Sequence, residues 1–229
     1  MKILLLADEE EKSLWDYYRP GMFDGYDLIL SAGDLKGDYL TFIETMSNKP
    51  LVYVHGNHDG RYDVKPPEGC ICAEDKVVTV KGIRILGLGG SAAYNGGKHQ
   101  YTERQMEKRI RLLSGRIRAA GGVDIVLTHA APQGLGDDTD YAHRGFEAFL
   151  PLMEKYRPRF LVHGHVHLAY GRCVERLHSY SATTIINACG RYEIEIEPTE
   201  KKELTVLEKA VNCICCIPAK LREFGEDCE

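Results

Sequence analysis

The amino-acid sequence predicts an α/β fold, and two features of the chain support this class. In the first part of the chain, apolar runs typical of buried strands alternate with helical patterns, as in parallel βαβ units. Beyond the turn at Pro66-Pro67, apolar runs are joined by glycine turns, which indicates a second, more antiparallel half. A length of 229 residues and a hydrophobic fraction of 44% suit one globular domain with a substantial core.

The first half is predicted to contain three strands separated by two helices. We place these strands at residues 3–7, 26–30 and 51–54. Leu14, Trp15 and Tyr18 share one face at helical spacing, which predicts a helix after the first strand. A similar pattern around Leu40 and Ile43 predicts the second helix. This alternation of strand and helix favours parallel pairing of the three strands.

The second half is predicted to contain a hairpin, a long helix and several further strands. The hairpin comprises residues 76–80 and 83–88. Thr102 and Gln105 form a capping box at the start of the long helix, which ends at Gly121-Gly122. A shorter helix is expected around Phe149. The further strands are predicted at residues 123–127, 160–162, 183–186 and 192–196.

No repeat or linker divides the chain, so we predict one domain over residues 1–198. A Cys-rich tail over residues 199–229 is expected to pack on this domain, although its cysteines lack the paired spacing of a zinc site. The apolar run at residues 3–7 is too short for a signal peptide, and no stretch approaches the length of a membrane span. We therefore expect a cytoplasmic protein with free thiols and no membrane partner.

Five short polar motifs each follow a strand-like segment. They are Asp8, Gly33-Asp34, Gly56-Asn57-His58-Asp59, Thr128-His129 and Gly164-His165-Val166-His167. A single aspartate, Gly-Asp or histidine is more often a turn, a helix cap or a buried histidine, whereas Gly-His-Val-His and Gly-Asn-His-Asp are less ambiguous. Their occurrence together, at strand ends where separate segments converge, favours a site for divalent cations. Such cations bind this mixture of carboxylate, amide and imidazole groups.

The donor chemistry suggests a role for each motif in a site with two metal ions. Asp34 is the best bridging ligand, because a carboxylate offers two oxygen atoms. Asn57 supplies a neutral amide oxygen. His58 is next to a ligand but points elsewhere, which suits a proton donor or a phosphate contact. The imidazole ligands are His129, His165 and His167.

These motifs resemble the calcineurin-like metallophosphoesterase family, whose motifs run D-x-H, G-D, G-N-H-D or E, H, and G-H-x-H. The match spans about residues 1–190. The resemblance implies a four-layer sandwich, with two mixed sheets covered by helices and a dinuclear metal site at the sheet edges. It also implies that Asp34 bridges the two metals and that His58 assists the leaving group or steadies the phosphate. The other implied ligands are Asp8 and His167 for the first metal, and Asn57, His129 and His165 for the second.

The first motif departs from the family pattern, because Glu10 stands where the family has a histidine. Glu10 has three alternative roles: direct ligation, ligation through a water molecule, or a damaged site in a non-catalytic descendant. We predict direct ligation, since the other ligands are present and a carboxylate is itself a good metal ligand. The expected ions are two divalent cations, manganese in the first place, with iron, zinc and magnesium as alternatives.

The predicted function is a metal-dependent phosphoesterase, in the first place a phosphodiesterase. It hydrolyses an unidentified phosphoester by in-line attack of a metal-bridging hydroxide. One alternative is a metal-binding regulatory protein with weakened catalysis, motivated by Glu10. The other alternative is a nuclease, which the net charge of -5 and the lack of an appended nucleic-acid module disfavour. The sequence does not predict the oligomeric state.

Two further features have weaker functional interpretations. The helix from Thr102 to Ala119 carries six basic residues, which form either a groove for a polyanion or, more commonly, a solvated face. Two loops follow ligand-bearing strands and supply candidates for substrate selection. These candidates are Tyr94, His99, Asp137, Asp140 and His143.

Overall fold

Two large β-sheets form the centre of the structure, a computed structural model in which residues 1–168 and 175–198 are described. In chain order the strands are β1 (Lys2–Ala7), β2 (Leu28–Ser31), β3 (Leu51–Tyr53), β4 (Ile71–Cys72), β5 (Lys76–Val80), β6 (Ile83–Leu88), β7 (Ser91–Ala92), β8 (Gln100–Tyr101), β9 (Ile125–Thr128), β10 (Phe160–His163), β11 (Leu177–Tyr180), β12 (Thr183–Asn187) and β13 (Gly190–Glu195). The helices are α1 (Gly37–Ser47), α2 (Glu103–Ala119) and α3 (Phe149–Tyr156), with short 3-10 helices at Lys12–Leu14 and Gly60–Asp63. This architecture confirms the predicted α/β class.

The first sheet has five strands in the order β13-β1-β2-β3-β4. Strands β1 to β4 are parallel neighbours, in agreement with the βαβ pattern of the sequence. Strand β13 pairs antiparallel with β1, with Lys2 opposite Glu195. The prediction that this strand completes the second half was therefore wrong. Pairing between strands so distant in the chain leaves no local pattern by which the sequence could indicate it.

The second sheet has six strands in the order β11-β12-β10-β9-β6-β5. Its central strands β12, β10, β9 and β6 are parallel, and its edge pairs β5–β6 and β11–β12 are antiparallel. The predicted antiparallel character is therefore confined to the edges of this sheet. Helix α2 precedes β9 and helix α3 precedes β10, and helical crossovers of this kind join parallel neighbours. The predicted hairpin is confirmed as β5 and β6, whereas β4, β7, β8 and β11 were not predicted.

Alternate residues of β1 face opposite sides of the first sheet and thereby enter two different cores. Ile3 and Leu5 lie in the core between the two sheets. Leu4 and Leu6 lie in a second core, which is covered by helix α1. A third core joins the outer face of the second sheet to helices α2 and α3. The order of helix, sheet, sheet and helices is the four-layer sandwich that the family resemblance implied.

The helix predicted after β1 is reduced to the 3-10 helix Lys12–Leu14. Trp15 and Tyr18 do not continue a helix but pack against Phe42 of α1, with ring centroids 4.9 and 5.6 Å apart. Pro20 closes this segment, because a proline lacks the N–H that a helix interior requires. Aromatic packing, rather than helix formation, therefore satisfies the apolar periodicity of this segment.

Helix α2 begins as the sequence predicts. The side chain of Thr102 accepts the backbone N–H of Gln105 at 3.3 Å, and the side chain of Gln105 accepts the N–H of Thr102 at 2.7 Å. The two residues thus form a complete capping box. Basic residues Arg116 and Arg118 lie in the last turn, where a positive charge interacts favourably with the helix dipole.

Within the described ranges, every helix is too short or too polar to cross a membrane. The Cys-rich tail predicted at residues 199–229 lies outside the described residues, as does the prediction that it packs on the domain.

An ion pair between Arg84 and Asp124 fastens β6 to the turn that leads into β9. Asp124 is only 3% exposed, and its carboxylate accepts from Nε and Nη2 of Arg84, both at 2.8 Å. The backbone N–H of Arg84 also donates to Asp124 at 2.9 Å. Because the pair is bidentate and largely buried, removal of the carboxylate would leave an uncompensated charge inside the protein.

We expect Asp124→Ala to lower the free energy of unfolding by about 3 kcal/mol, the typical cost of breaking a buried ion pair. Asp38→Ala is the matched control, because its partner Lys65 lies 2.8 Å away but both side chains are at least 70% exposed. Exposed pairs of this kind contribute about 0.2–1 kcal/mol. Urea denaturation of the two variants checks the difference. Equal destabilisation by both would contradict a structural role for the Arg84–Asp124 pair.

Candidate metal centre

Three of the predicted ligands have a left-handed backbone at the end of a strand. The φ angle is 61° at Asp8, 57° at Asp34 and 69° at His165. These residues follow strands β1, β2 and β10, and the reversal turns each side chain toward the edge that the two sheets share. L-residues rarely adopt this conformation, and it costs about 1–3 kcal/mol at each position. Such strained residues cluster at functional sites, so the strained backbone at this sheet edge indicates a functional site.

His129 lies at the centre of the predicted ligands. Its Nδ1 donates to the carbonyl oxygen of Ala32 at 2.8 Å, because a carbonyl can only accept. Its Nε2 lies 3.0 Å from Oδ1 of Asn57 and 3.3 Å from Oδ2 of Asp34. One imidazole nitrogen, one amide oxygen and one carboxylate oxygen therefore converge on a single point. A ring nitrogen anchored to a backbone carbonyl is the usual support of a metal-binding histidine.

His165 joins this cluster from the end of β10. Ligand atoms of Asp34, His129 and His165 all lie within 4.8 Å of one another. The Nε2 of His165 donates to the carbonyl oxygen of Ala142 at 2.8 Å, so Nδ1 is the nitrogen that can bind a cation. Three of the predicted ligands are thus brought together by strands from both sheets.

Asp8 completes the negative charge of the site. Both oxygens of its carboxylate accept the backbone N–H of His165, each at 3.0 Å. Burial and the nearby Asp34 raise the pKa of Asp8, although His129 opposes this effect. Because the charge of Asp34 raises the pKa of Asp8, a positive charge beside the two carboxylates is favourable, and a divalent cation supplies one.

The pKa values of the central residues show which charge occupies this position when no cation is bound. Burial disfavours the charged form of His129, but Asp34 and Asp8 outweigh it and raise the pKa of His129 to about 9. Burial likewise opposes ionisation of Asp34, but His129 lowers the pKa of Asp34 to about 2. The second proton of the His129 ring is therefore on Nε2 and points toward the oxygens of Asn57 and Asp34. A metal ion bound to Nε2 would displace this proton. The residues present fit a divalent cation.

Asp59 braces the two central turns, a role that the sequence did not reveal although the residue belongs to the third motif. Its Oδ2 accepts the backbone N–H groups of Gly56 at 2.7 Å and Asp34 at 2.8 Å. Burial raises the pKa of Asp59 to about 6. The side chain of Asp59 thus fixes the loop that contains Asp34 to the loop that contains Gly56. The only indication of this role in the sequence was the position of Asp59 directly after Gly-Asn-His.

His167 lies apart from the central cluster. Its Nδ1 is 3.2 Å from Oε1 of Glu9, and the two residues form a second group of possible ligands with the buried Cys189. Neither Glu9 nor Cys189 was predicted. Cys189 comes close because the chain passes beside Ala7 there, a pairing that the sequence does not indicate.

Glu10, the residue that replaces the family histidine, faces a different direction from Glu9. Its carboxylate pairs with Lys36 at 3.2 Å. It nevertheless lines the same cavity of about 870 Å³ as Asp8, Asp34 and the exposed side chain of His58. Direct ligation by Glu10 stays a prediction, and it would require the carboxylate to leave Lys36.

The same cavity carries three cationic side chains that the sequence did not single out. They are Lys36, Arg61 and Lys65. They come from separate turns, so no spacing in the sequence identifies them as a group. Positive groups beside a cluster of carboxylates suit an anionic substrate that also contacts a bound cation.

Two of the predicted substrate-selection residues contact ligand side chains. The hydroxyl of Tyr94 accepts from Nδ2 of Asn57 at 3.2 Å, which turns the amide oxygen toward His129. The ring of His143 lies 4.8 Å from that of His165. Both loops therefore lie beside the candidate metal centre, and their role in substrate selection stays a prediction.

A model of the calcineurin-like phosphoesterase family matches residues 8–169, and the chain belongs to this family. Within it, the chain is similar to UPF0046 protein T07D4.2 of Caenorhabditis elegans, with 28% identity over 142 residues. That match covers 61% of this chain and 33% of the relative, so the chain spans about a third of the length of that curated protein.

Two crystal structures are similar to this one. The structure of TT1561 of Thermus thermophilus has a TM-score of 0.56 at 15% identity, covering 82% of this chain and 89% of that one. A second crystal structure has a TM-score of 0.61 at 12% identity, and the match covers 84% of this chain and 94% of the chain in that structure. At these identities the likeness shows the fold alone.

We expect Gly56→Ala to displace Asp34 and to weaken Mn²⁺ binding at least about tenfold, the typical effect of disturbing the support of a metal ligand. A Cβ on Gly56 would lie 2.6 Å from the backbone nitrogen of Asp34 and would overlap its carboxylate. Equilibrium dialysis with Mn²⁺ measures the binding.

Gly115→Ala is the matched control. This glycine lies within α2, and a Cβ added to it would meet nothing within 4 Å, so alanine should add about 0.5–1 kcal/mol of stability and leave Mn²⁺ binding unchanged. Wild-type Mn²⁺ affinity in a folded Gly56→Ala protein would show that Asp34 does not bind the metal.

Proposed function

We propose that this protein is a phosphodiesterase that uses two divalent metal ions, manganese in the first place, held at the shared edge of the two sheets. Family membership supports a metal-dependent phosphoesterase in general. The observation that carries the proposal is the convergence of three side chains on one point. Nε2 of His129 lies 3.0 Å from Oδ1 of Asn57 and 3.3 Å from Oδ2 of Asp34. The cationic side chains of the adjoining cavity support an anionic substrate.

In this proposal the ligand set divides between two ions. Asp34 would hold both ions, because its carboxylate offers two oxygen atoms. The second ion is held by Asn57, His129 and His165, and the first by Asp8, Glu10 and His167. When bound, such ions neutralise phosphate oxygens and make water more acidic.

The chain's own residues position the substrate and move the proton. Lys36, Arg61 and Lys65 attract the phosphate group and orient it in the cavity. The imidazole of His58 is exposed in the same cavity, while its backbone N–H is fixed to Asp34 at 2.8 Å. It is thereby placed to protonate the leaving oxygen. Tyr94 keeps the amide of Asn57 in the orientation that presents oxygen.

The contacts of helix α2 give no support to the nuclease alternative. Arg109 pairs with Glu74 and with Asp75, the latter at 2.8 Å, and Arg116 donates to the carbonyl of Asp75 at 2.7 Å. These contacts engage two of the six basic residues in the structure of the protein itself. The cavity with the cationic side chains is lined by other segments, so α2 does not extend it into a groove for a polyanion.

The proposal is tested by hydrolysis of a chromogenic phosphodiester by chelator-stripped protein to which Mn²⁺ is returned. We expect turnover that depends on Mn²⁺ and is lost in Asn57→Ala, because this variant removes a ligand. His58→Ala should retain Mn²⁺ but lose turnover, most severely with a poor leaving group. The absence of turnover with manganese, iron, cobalt or zinc in folded protein would instead favour a metal-binding protein without catalysis.

Glu10→Ala is expected to reduce bound Mn²⁺ from two ions per chain toward one, because Glu10 completes the first site in this proposal. Glu9→Ala is the matched control, since it removes a carboxylate from the neighbouring position, where Glu9 contacts His167 at 3.2 Å. Elemental analysis after dialysis measures the stoichiometry. If Glu9→Ala loses an ion and Glu10→Ala does not, Glu9 replaces the family histidine.

A further inference from the structure

A third group of possible metal ligands lies outside the cavity described above. His55, Asp63 and His99 each offer one ligand atom, and these atoms lie within 4.8 Å of one another. His55 follows β3, Asp63 ends the 3-10 helix Gly60–Asp63, and His99 precedes β8. None of the three lines the cavity that contains Asp8 and Asp34.

The two imidazole rings of this cluster lie side by side. Their centroids are 4.5 Å apart and their planes differ by 14°. Nε2 of His99 lies 3.9 Å from Oδ1 of Asp63. A zinc-type ion with ligands at about 2.0–2.1 Å would bring the ligand atoms to roughly 3.3 Å from one another. The ligand atoms would therefore have to move closer together on binding, and Asp63, whose side chain is 45% exposed, has the most room to move.

His55 is held in the manner of a metal ligand. Its Nδ1 lies 3.2 Å from Oε2 of Glu74, which leaves Nε2 as the ring nitrogen available to a cation. Glu74 is itself fixed, since it accepts the backbone N–H groups of His55 and Gly89, both at 3.1 Å, and pairs with Arg109. A carboxylate behind the distal nitrogen of a histidine sets the tautomer and orientation that ligation requires.

His99 supplies an independent observation. Its Nε2 is buried and has no hydrogen-bond partner. A buried polar atom without a partner is costly, and native proteins rarely leave one unexplained. The backbone of His99 is also left-handed, with φ of 53°. A cation bound between His99, His55 and Asp63 would satisfy this nitrogen and account for the strained backbone that presents it.

The surrounding charge is compatible with a cation at this position. Lys98 pairs with Oδ2 of Asp63 at 2.8 Å, but the other oxygen, Oδ1, faces His99. We propose that His55, Asp63 and His99 form a third metal site, which takes a divalent transition-metal ion of the zinc type with its remaining positions open to water. Two imidazoles and one carboxylate are the ligands that zinc, cobalt and nickel accept most readily.

The third metal site would be structural. It would tie the end of β3 and the 3-10 helix to the loop that precedes β8. The same loop carries Tyr94, whose hydroxyl contacts Asn57 at 3.2 Å. An ion at His99 would therefore hold this loop over the candidate metal centre without taking part in the reaction. The inference goes beyond the proposed phosphodiesterase and does not depend on it.

The test is the number of Co²⁺ ions bound per chain, measured by equilibrium dialysis and elemental analysis of the chelator-stripped full chain. We expect His99→Gln and Asp63→Ala each to bind one ion fewer than wild type. His178→Gln is the matched control, because His178 on β11 belongs to none of the three groups of possible ligands. It should bind as many ions as the wild type.

Asp63→Ala keeps the experiment decisive if His99→Gln does not fold, since the side chain of Asp63 is 45% exposed and its removal takes away both carboxylate oxygens. Unchanged Co²⁺ stoichiometry in folded Asp63→Ala and His99→Gln would overturn the inference. The readout is binding, so it is separable from catalysis. A protein without phosphodiesterase turnover that still loses one ion in these variants would refute the proposed function and keep the third site.

Discussion

The hydrogen bond between Nδ1 of His129 and the carbonyl oxygen of Ala32, 2.8 Å long, is the interaction on which the geometry of the candidate metal centre depends. His129 follows β9 of the second sheet and Ala32 follows β2 of the first, so this bond crosses between the sheets at their common edge. It fixes the proton on Nδ1 and directs Nε2 toward Asn57 and Asp34. The bond forms only at one separation of the two sheets, and the apolar core between them sets that separation.

The rest of the fold offsets the local cost of building this edge. Asp8, Asp34 and His165 have left-handed backbones, each costing about 1–3 kcal/mol. Residues 3–6 of β1 are fully buried, and burial of each Leu or Ile side chain contributes about 1.5–3 kcal/mol. The apolar strands are therefore strong enough to hold strained loops at their ends. The buried strands provide the stability and the loops at their ends hold the candidate ligands. This explains why the candidate ligands follow the most hydrophobic segments of the sequence.

The sequence indicated those parts of the fold and of the site that leave a local pattern. Alternating apolar runs predicted β1 to β3, and Thr102 with Gln105 predicted the start of α2. The convergence of Asp34, Asn57 and His129 followed from their places after strands. The pairing of β13 with β1, the approach of Cys189 to His167 and the cationic side chains of the cavity depend on contacts between distant segments. The failure of the helix after β1 shows the same limit, because tertiary aromatic packing decided that segment.

The pairing of β13 with β1 also constrains when the site can form. Lys2 lies opposite Glu195, so the first sheet acquires its last strand only after residue 195 has been synthesised. Contacts between such distant residues slow folding, because the entropy of closing a long loop is lost before the contact stabilises the chain. The crossing from β12 to β13 passes through Cys189, which is bridged to Ala7 just before Asp8. The position of Asp8 beside this pairing is thus expected to become fixed late in folding, because it depends on a contact between segments that are far apart in the chain.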